Sequence, residues 1–526
     1  MVDRGVGRKL TAGGALLMAA AWLVACGGSS SGGSNGTGSL NAQLYAACAK
    51  NELKPNPVLK EPSLTPDQTE IRELRRELGR NLFFDHVMSG VQQTSCGTCH
   101  HAAFQFADGR NIARGVFCDL SPSHGQIFCD QPAPNPGDGG NVVGPDRTSP
   151  LNSRNSPLLI NAALFPKQMW NGRFHFVDDS STDVNQLDPT QGFEFPAPER
   201  VLLVRSILTG QAHIPVTEAV EMTGDFPHPG LPFEDPEERN PEVRAGIAVR
   251  VTNIPAYHAL FEEAYPKDRP GVKLYGGDPL IGPGDPIPYI AIADSVGHFL
   301  ETQIYTDAPW DHFLKGETGA ISEAAKRGAL TFFTTGQCAS CHDGNLFSDF
   351  DNYNIGVPQV GPGTAQLDSD PLFQGYTTWD FGLEEITFQR HDRFKYRTPP
   401  LRGVALSAPY MHNGAYRTLE AAIRHHTYPE AAYANYDISQ IEPDMQAAEG
   451  LKPMAAVFER RNPVVLGHNP GQRRIDLTDA QISELIEFLK TLTDPRMLDT
   501  ASLAPSSVPS GLPVDVPGPR RFPTYQ

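Results

Sequence analysis

Cys96-Gly97-Thr98-Cys99-His100 and Cys338-Ala339-Ser340-Cys341-His342 are two copies of one five-residue pattern, C-x-x-C-H, in distant parts of a 526-residue chain. Two thiols three positions apart on a turn reach the two vinyl groups of one porphyrin, and the adjacent imidazole then points at the iron as axial ligand. The same cysteine pair also occurs in thioredoxin-like redox sites and as half of a zinc ribbon. The first belongs to the cytosol and conflicts with the export signal described below. The second needs another cysteine pair that neither copy has. The motifs therefore predict two haem c groups, held by Cys96, Cys99 and His100 and by Cys338, Cys341 and His342.

Working outward, the flanking sequence reads as helix. Thr65-Pro66-Asp67-Gln68 is a capping box with proline at the first helical position, and Ile71, Leu74, Leu78 and Leu82 follow on one face. Thr478-Asp479-Ala480-Gln481 repeats the device ahead of Ile482, Leu485, Ile486 and Leu489. Tyr289–Ile304 and Ser322–Phe333 are helical as well, the latter leading into Cys338. Strand signals are few. Leu82-Phe83-Phe84 before the first motif and Leu330-Thr331-Phe332-Phe333 before the second, with Asp108 and Asp349 after them, suggest one duplicated cytochrome c-like unit. The fold class is thus mainly α, with two such domains.

The N-terminus is of another kind. Arg4, Arg8 and Lys9 precede an apolar run, Gly14 to Ala25, too short for the roughly 20 residues of a membrane helix. Leu23-Val24-Ala25-Cys26-Gly27 looks like a bacterial lipobox, so residues 1–26 read as a lipoprotein signal with the anchor at Cys26, on the periplasmic face of a membrane. Gly27 to Asn41 is nearly all Gly, Ser, Asn and Thr and opens a flexible tether assigned to 27–65. With 43 Lys plus Arg against 61 Asp plus Glu, the net charge of −18 argues against nucleic acid as partner. Of the other cysteines, Cys118 and Cys129 could close a disulfide in a Pro/Gly-rich insertion at 119–153, and Cys48 is left over.

Several further segments resemble, in order, the bacterial dihaem cytochrome c peroxidases and their MauG-type relatives: Leu78-Gly79-Arg80-Asn81-Leu82-Phe83, Phe106-Ala107-Asp108-Gly109, Arg154-Asn155-Ser156-Pro157, Trp170-Asn171-Gly172-Arg173 and Pro409-Tyr410-Met411-His412-Asn413-Gly414. The resemblance runs from about residue 66 to 495. It implies a peroxidatic domain at 66–288, an electron-transfer domain at 289–500 and a tail at 501–526. In that family a Glu-Met pair with an upstream Gln and Pro moves the proton during peroxide cleavage; here Gln211, Pro215, Glu221 and Met222 have that spacing, with Glu218 as a rival. Where many members carry a blocking His, this chain has Arg147, which implies a first haem open beyond His100, although His124 in the insertion could substitute. The sixth ligand of the second haem falls at His426, with His425 beside it, in place of the family's Met or Tyr. A second imidazole stabilises ferric iron and lowers the potential. Trp170 corresponds to the family's tryptophan between the haems, or else is core packing. Asn155 with the carbonyls of Ser407 and Pro409 matches an interhaem calcium site.

Three functions remain open on this reading: reduction of hydrogen peroxide with electrons from a small cytochrome or cupredoxin, MauG-like oxidation of Trp or Tyr in a partner protein, and dihaem electron carriage without catalysis.

Overall fold

The computed structural model describes residues 39–58, 63–116, 119–121, 126–128, 142–143, 152–175, 207–224, 226, 236–274, 278–361, 380–447, 475–518 and 524. The signal and lipobox, Cys118, Cys129, His124 and Arg147 lie outside them. The longer helices are α1 (Leu40–Lys50), α2 (Pro66–Phe84), α3 (Pro236–Thr252), α4 (Pro255–Ala264), α5 (Tyr289–Glu301), α6 (Glu323–Phe333), α7 (Leu419–Thr427) and α8 (Asp479–Lys490). Strands among the described residues are two or three residues long and pair only in twos. The capping boxes at Thr65 and Thr478 form as their sequences require, and Ser322 caps α6.

Two apolar cores divide the chain, and each is built on a helix crossing of the same design. Gly79 of α2 lies under α5, where a Cβ would stand 1.8 Å from the Ser295 carbonyl oxygen; Gly328 of α6 lies under α8, where a Cβ would stand 1.8 Å from that of Glu484. One turn further on, Phe83 meets Phe299 and Phe106 with ring centres 5.4 and 5.9 Å apart, and Phe332 meets Phe488 and Phe347 at 5.2 and 6.0 Å. A helix without a side chain at the crossing lets the backbones approach, and the aromatics seal the gap beside each C-x-x-C-H motif. The duplicated unit is therefore present in packing as well as in sequence.

Helix α5, expected to open the second domain, packs in the first core: Tyr289 through Leu300 are buried, and the helix crosses α2 at Gly79. In the Pro/Gly-rich stretch before it, Pro266 bridges to Ile281, and Ile281 and Ile287 pack into the same core. The tether does not reach residue 65. Helix α1 buries Leu44 and Cys48 against the second core, and Tyr45 stacks on Phe313 at 4.8 Å. The aperiodic tail is ordered by side-chain anchors and not by a pattern of its own. Thr500 Oγ1 donates to the Ala102 carbonyl at 2.6 Å, Ser510 Oγ to Asp85 at 2.7 Å, and Thr98, inside the first C-x-x-C-H motif, donates to the buried Asp515.

Candidate functional site

Each motif histidine is held in the same way. His100 places Nδ1 3.0 Å from the Phe106 carbonyl, and His342 places Nδ1 3.0 Å from that of Phe347. A carbonyl accepts only from a protonated nitrogen, so both rings keep Nε2 as the lone-pair atom, which is the tautomer a metal-ligating histidine needs. Burial pulls both imidazoles down to about 4, which keeps them neutral; for His342 the nearby His426 adds to the effect. Cys96, Cys99, Cys338 and Cys341 are all free of disulfides. The donor set and its tautomers fit haem c at both motifs.

Across from His342 stands His426 on α7, with ring centres 6.3 Å apart. His426 Nδ1 is bonded to the Ala422 carbonyl one turn back at 2.8 Å, so its Nε2 is also the free atom. Two imidazoles sharing one metal at about 2.0 Å from each Nε2 have ring centres about 6.3 Å apart. His425 is fully buried, with Nδ1 2.8 Å from the Tyr416 hydroxyl and Nε2 2.7 Å from the Ile355 carbonyl. Both its nitrogens are spent.

Glu221 sits on a single π-helical turn, Ala219–Thr223, that is sewn to the first motif. Thr94 Oγ1 donates to the Glu221 carbonyl at 3.2 Å, Val116 N to that of Val220 at 3.0 Å and Gly90 N to that of Met222 at 2.9 Å. Burial, with a smaller push from Glu218, raises the Glu221 carboxyl to about 7 against the pull of Arg173 and Arg154. Arg173 reaches Glu218 at 3.6 Å, so the rival carboxylate already has a cation. Gln211 donates Nε2 to the Met169 sulfur at 3.1 Å, and its buried Oε1 has no partner.

Trp170 and Asn155 meet directly: the indole Nε1 donates to the Asn155 carbonyl at 2.8 Å. Both line a cleft of about 90 Å³ between the halves, together with Ser407, Pro409 and Arg397. The structure thus brings Trp170 and the three expected calcium ligands to one place. Among the described residues no cluster of three His, Cys, Asp or Glu is placed to hold a metal, so a cation here would depend on amide and carbonyl oxygens.

The cleft has a pseudo-twofold logic that the sequence reading missed. Asn155 N donates to the His412 carbonyl at 2.8 Å, and Arg397 N donates to the Trp170 carbonyl at 2.7 Å. Each donor precedes a Ser-Pro or Thr-Pro pair, and each acceptor belongs to a Met-Trp-Asn-Gly or Met-His-Asn-Gly segment. Comparing Trp170-Asn171-Gly172 with His412-Asn413-Gly414 would have revealed it. Arg154, also missed as a charged anchor, binds Asp380 through Nε and Nη2 at 2.6 and 2.7 Å and Glu385 at 2.8 Å.

Residues 73–319 match the family model for di-haem cytochrome c peroxidase. The chain is similar to the cytochrome-c peroxidase IdrP2 of Denitromonas iodatirespirans, 27% identical over 66% of this chain and 71% of that protein. It is 25% identical to the methylamine utilization protein MauG of Methylophilus methylotrophus over 71% of this chain and 76% of that one. With the cytochrome c551 peroxidase of Pseudomonas aeruginosa it shares 26% identity over 68% of this chain and 75% of the relative.

Proposed function

We propose that this chain, which is similar to dihaem cytochrome c peroxidases and MauG proteins, is a member of their family, that each of its two halves is a cytochrome c-like domain with one haem c, and that it reduces hydrogen peroxide to water with electrons from a small cytochrome or cupredoxin. The observation that carries this reading is Glu221: a carboxyl poised at about 7 on a turn bonded to the first haem motif through Thr94.

In this reading His342 with His426 would hold the iron of the second haem, and His100 would hold that of the first, where peroxide is cleaved. Iron bound there supplies the redox chemistry that opens the O–O bond. Glu221 takes the proton from the inner peroxide oxygen and returns it to the outer one, so that water rather than hydroxide leaves. Two electrons and two further protons complete the reduction to two waters. Gln211 presents its unpartnered amide oxygen as an acceptor for the peroxide hydroxyl. Trp170 is the candidate relay for electrons between the halves, and Asn155 with the Ser407 and Pro409 carbonyls would hold a Ca²⁺ that fixes their separation. The signal-like residues 1–26 and the lipobox-like Leu23–Gly27 support a location on the periplasmic face of a bacterial membrane, with the anchor at Cys26. No helix among the described residues is long and apolar enough to cross a membrane.

The facing of His342 and His426 favours a second reading, oxidation of Trp or Tyr in a partner protein, because a bis-imidazole haem is a poorer store of donor electrons. Steady-state assay with peroxide and reduced cytochrome c separates the two. Rapid turnover supports peroxide reduction; spectral reaction with peroxide without donor turnover supports the second. Absence of any peroxide reaction would leave an electron carrier.

A further inference from the structure

Arg397 is only 4% exposed and lines the cleft between the halves. Its guanidinium donates to main-chain carbonyls alone: Nε to Met169 at 3.0 Å and Nη1 to Thr398 at 3.4 Å. The rings of Phe165 and Phe350 flank it at 5.9 and 5.6 Å. Several other buried arginines are matched to carboxylates. Arg75 pairs with Asp278 and Asp294, Arg110 with Glu442, Arg393 with Glu384 and Arg402 with Asp311. Among the described residues no carboxylate pairs with Arg397, and burial, with nothing opposing it, draws its pKa down to about 10.

A buried cation without a counter-ion is costly, and guanidinium is suited to planar, bidentate recognition of a carboxylate. The chain position indicates where that carboxylate comes from. Arg397 is two residues from Pro399, whose backbone contacts the His342 ring, while its own N–H holds the Trp170 carbonyl of the other half. An anion beside this guanidinium therefore lies at the edge of the second haem site and next to the Trp170 segment.

We propose that Arg397 is the counter-ion of a haem propionate in this cleft, a positioning residue that raises the reduction potential of the haem it touches. The proposal rests on the dihaem reading above. Ferric haem carries one positive charge more than ferrous haem, so a nearby cation favours reduction and its loss favours oxidation.

The test is spectroelectrochemical titration of the purified haem-loaded protein and of Arg397→Gln and Arg397→Lys, with haem content measured by pyridine haemochrome. In Arg397→Gln one haem should shift to lower potential, a roughly tenfold change in its oxidised-to-reduced ratio at fixed poise, with both haems still attached. Its propionate bending band in resonance Raman should move too. Arg397→Lys should recover most of the shift and tests the proposal alone if the Gln variant does not fold, since a lysine is then expected to keep the potential while altering the Raman band. A shift in the low-spin haem assigns the propionate to the second site, and a shift in the high-spin haem to the first. Unchanged potentials and Raman bands in a variant retaining two haems overturn the proposal. A wild-type protein without two haems overturns the dihaem reading instead.

Discussion

The rings of His342 and His426 lie 6.3 Å apart between centres, each with Nδ1 committed to a backbone carbonyl and Nε2 left as the lone-pair nitrogen. The oxidised protein is therefore expected to show one high-spin haem and one low-spin haem with two histidines by electron paramagnetic resonance. His426→Ala should convert the low-spin signal to high spin. His425→Ala should not, because that ring is engaged by Tyr416 and Ile355 on both nitrogens. Two low-spin signals in the wild type would contradict the assignment.

Glu221→Gln should retain both haems and their spin states and slow peroxide cleavage by roughly 10²–10⁴-fold, the range for a lost general acid–base. Glu221 must be ionised to accept the first proton. With its pKa raised to about 7, the rate of reaction with peroxide should climb as pH rises through about 7 and level off above it. Stopped-flow rates across pH 5 to 9 check this; a flat profile, or a wild-type rate in the variant, would point to another carboxylate.

Gly79→Ala and Gly328→Ala should destabilise the protein. In an open helix interior that exchange stabilises by about 1 kcal/mol. At these crossings the new methyl would lie 1.8 Å from a carbonyl oxygen of the facing helix, and backbone cannot yield as a side-chain tip does. Overpacking of about 1–3 kcal/mol or more wins, so the thermal unfolding midpoint should fall in each variant. A midpoint at or above wild type would mean the helices are less closely apposed.

Trp170→Phe removes the indole donor to the Asn155 carbonyl and keeps an aromatic ring in the cleft. Both haems and the first reaction with peroxide should persist, while oxidation-state changes at the second haem slow markedly. Removing calcium with a chelator should produce a similar slowing, reversed on readdition. Stopped-flow spectra that resolve the two haems decide it: unchanged transfer in Trp170→Phe would leave the residue as core packing.

What the sequence by itself determined is what short-range chemistry dictates. A C-x-x-C-H pentapeptide contains its whole donor set, and the Thr65 and Thr478 boxes close on their own third residues, so their meaning does not depend on the rest of the chain. Gln211 and Glu221 were singled out only through the resemblance to the dihaem peroxidases. Tertiary structure alone decided which helices pair. Gly79 reads in sequence as an ordinary weak point of a helix, and only the Ser295 carbonyl, over two hundred residues away, makes it a crossing; hence α5 joins the first half despite the proline-rich segment before it. It also decided between His425 and His426, because neighbouring residues on α7 point about 100° apart and the Ile355 carbonyl and His342 lie on different sides. The charge of Arg397 was visible from the start, but the lack of a paired carboxylate among the described residues was not: what packs around a side chain is set by the tertiary structure, and no local pattern encodes it.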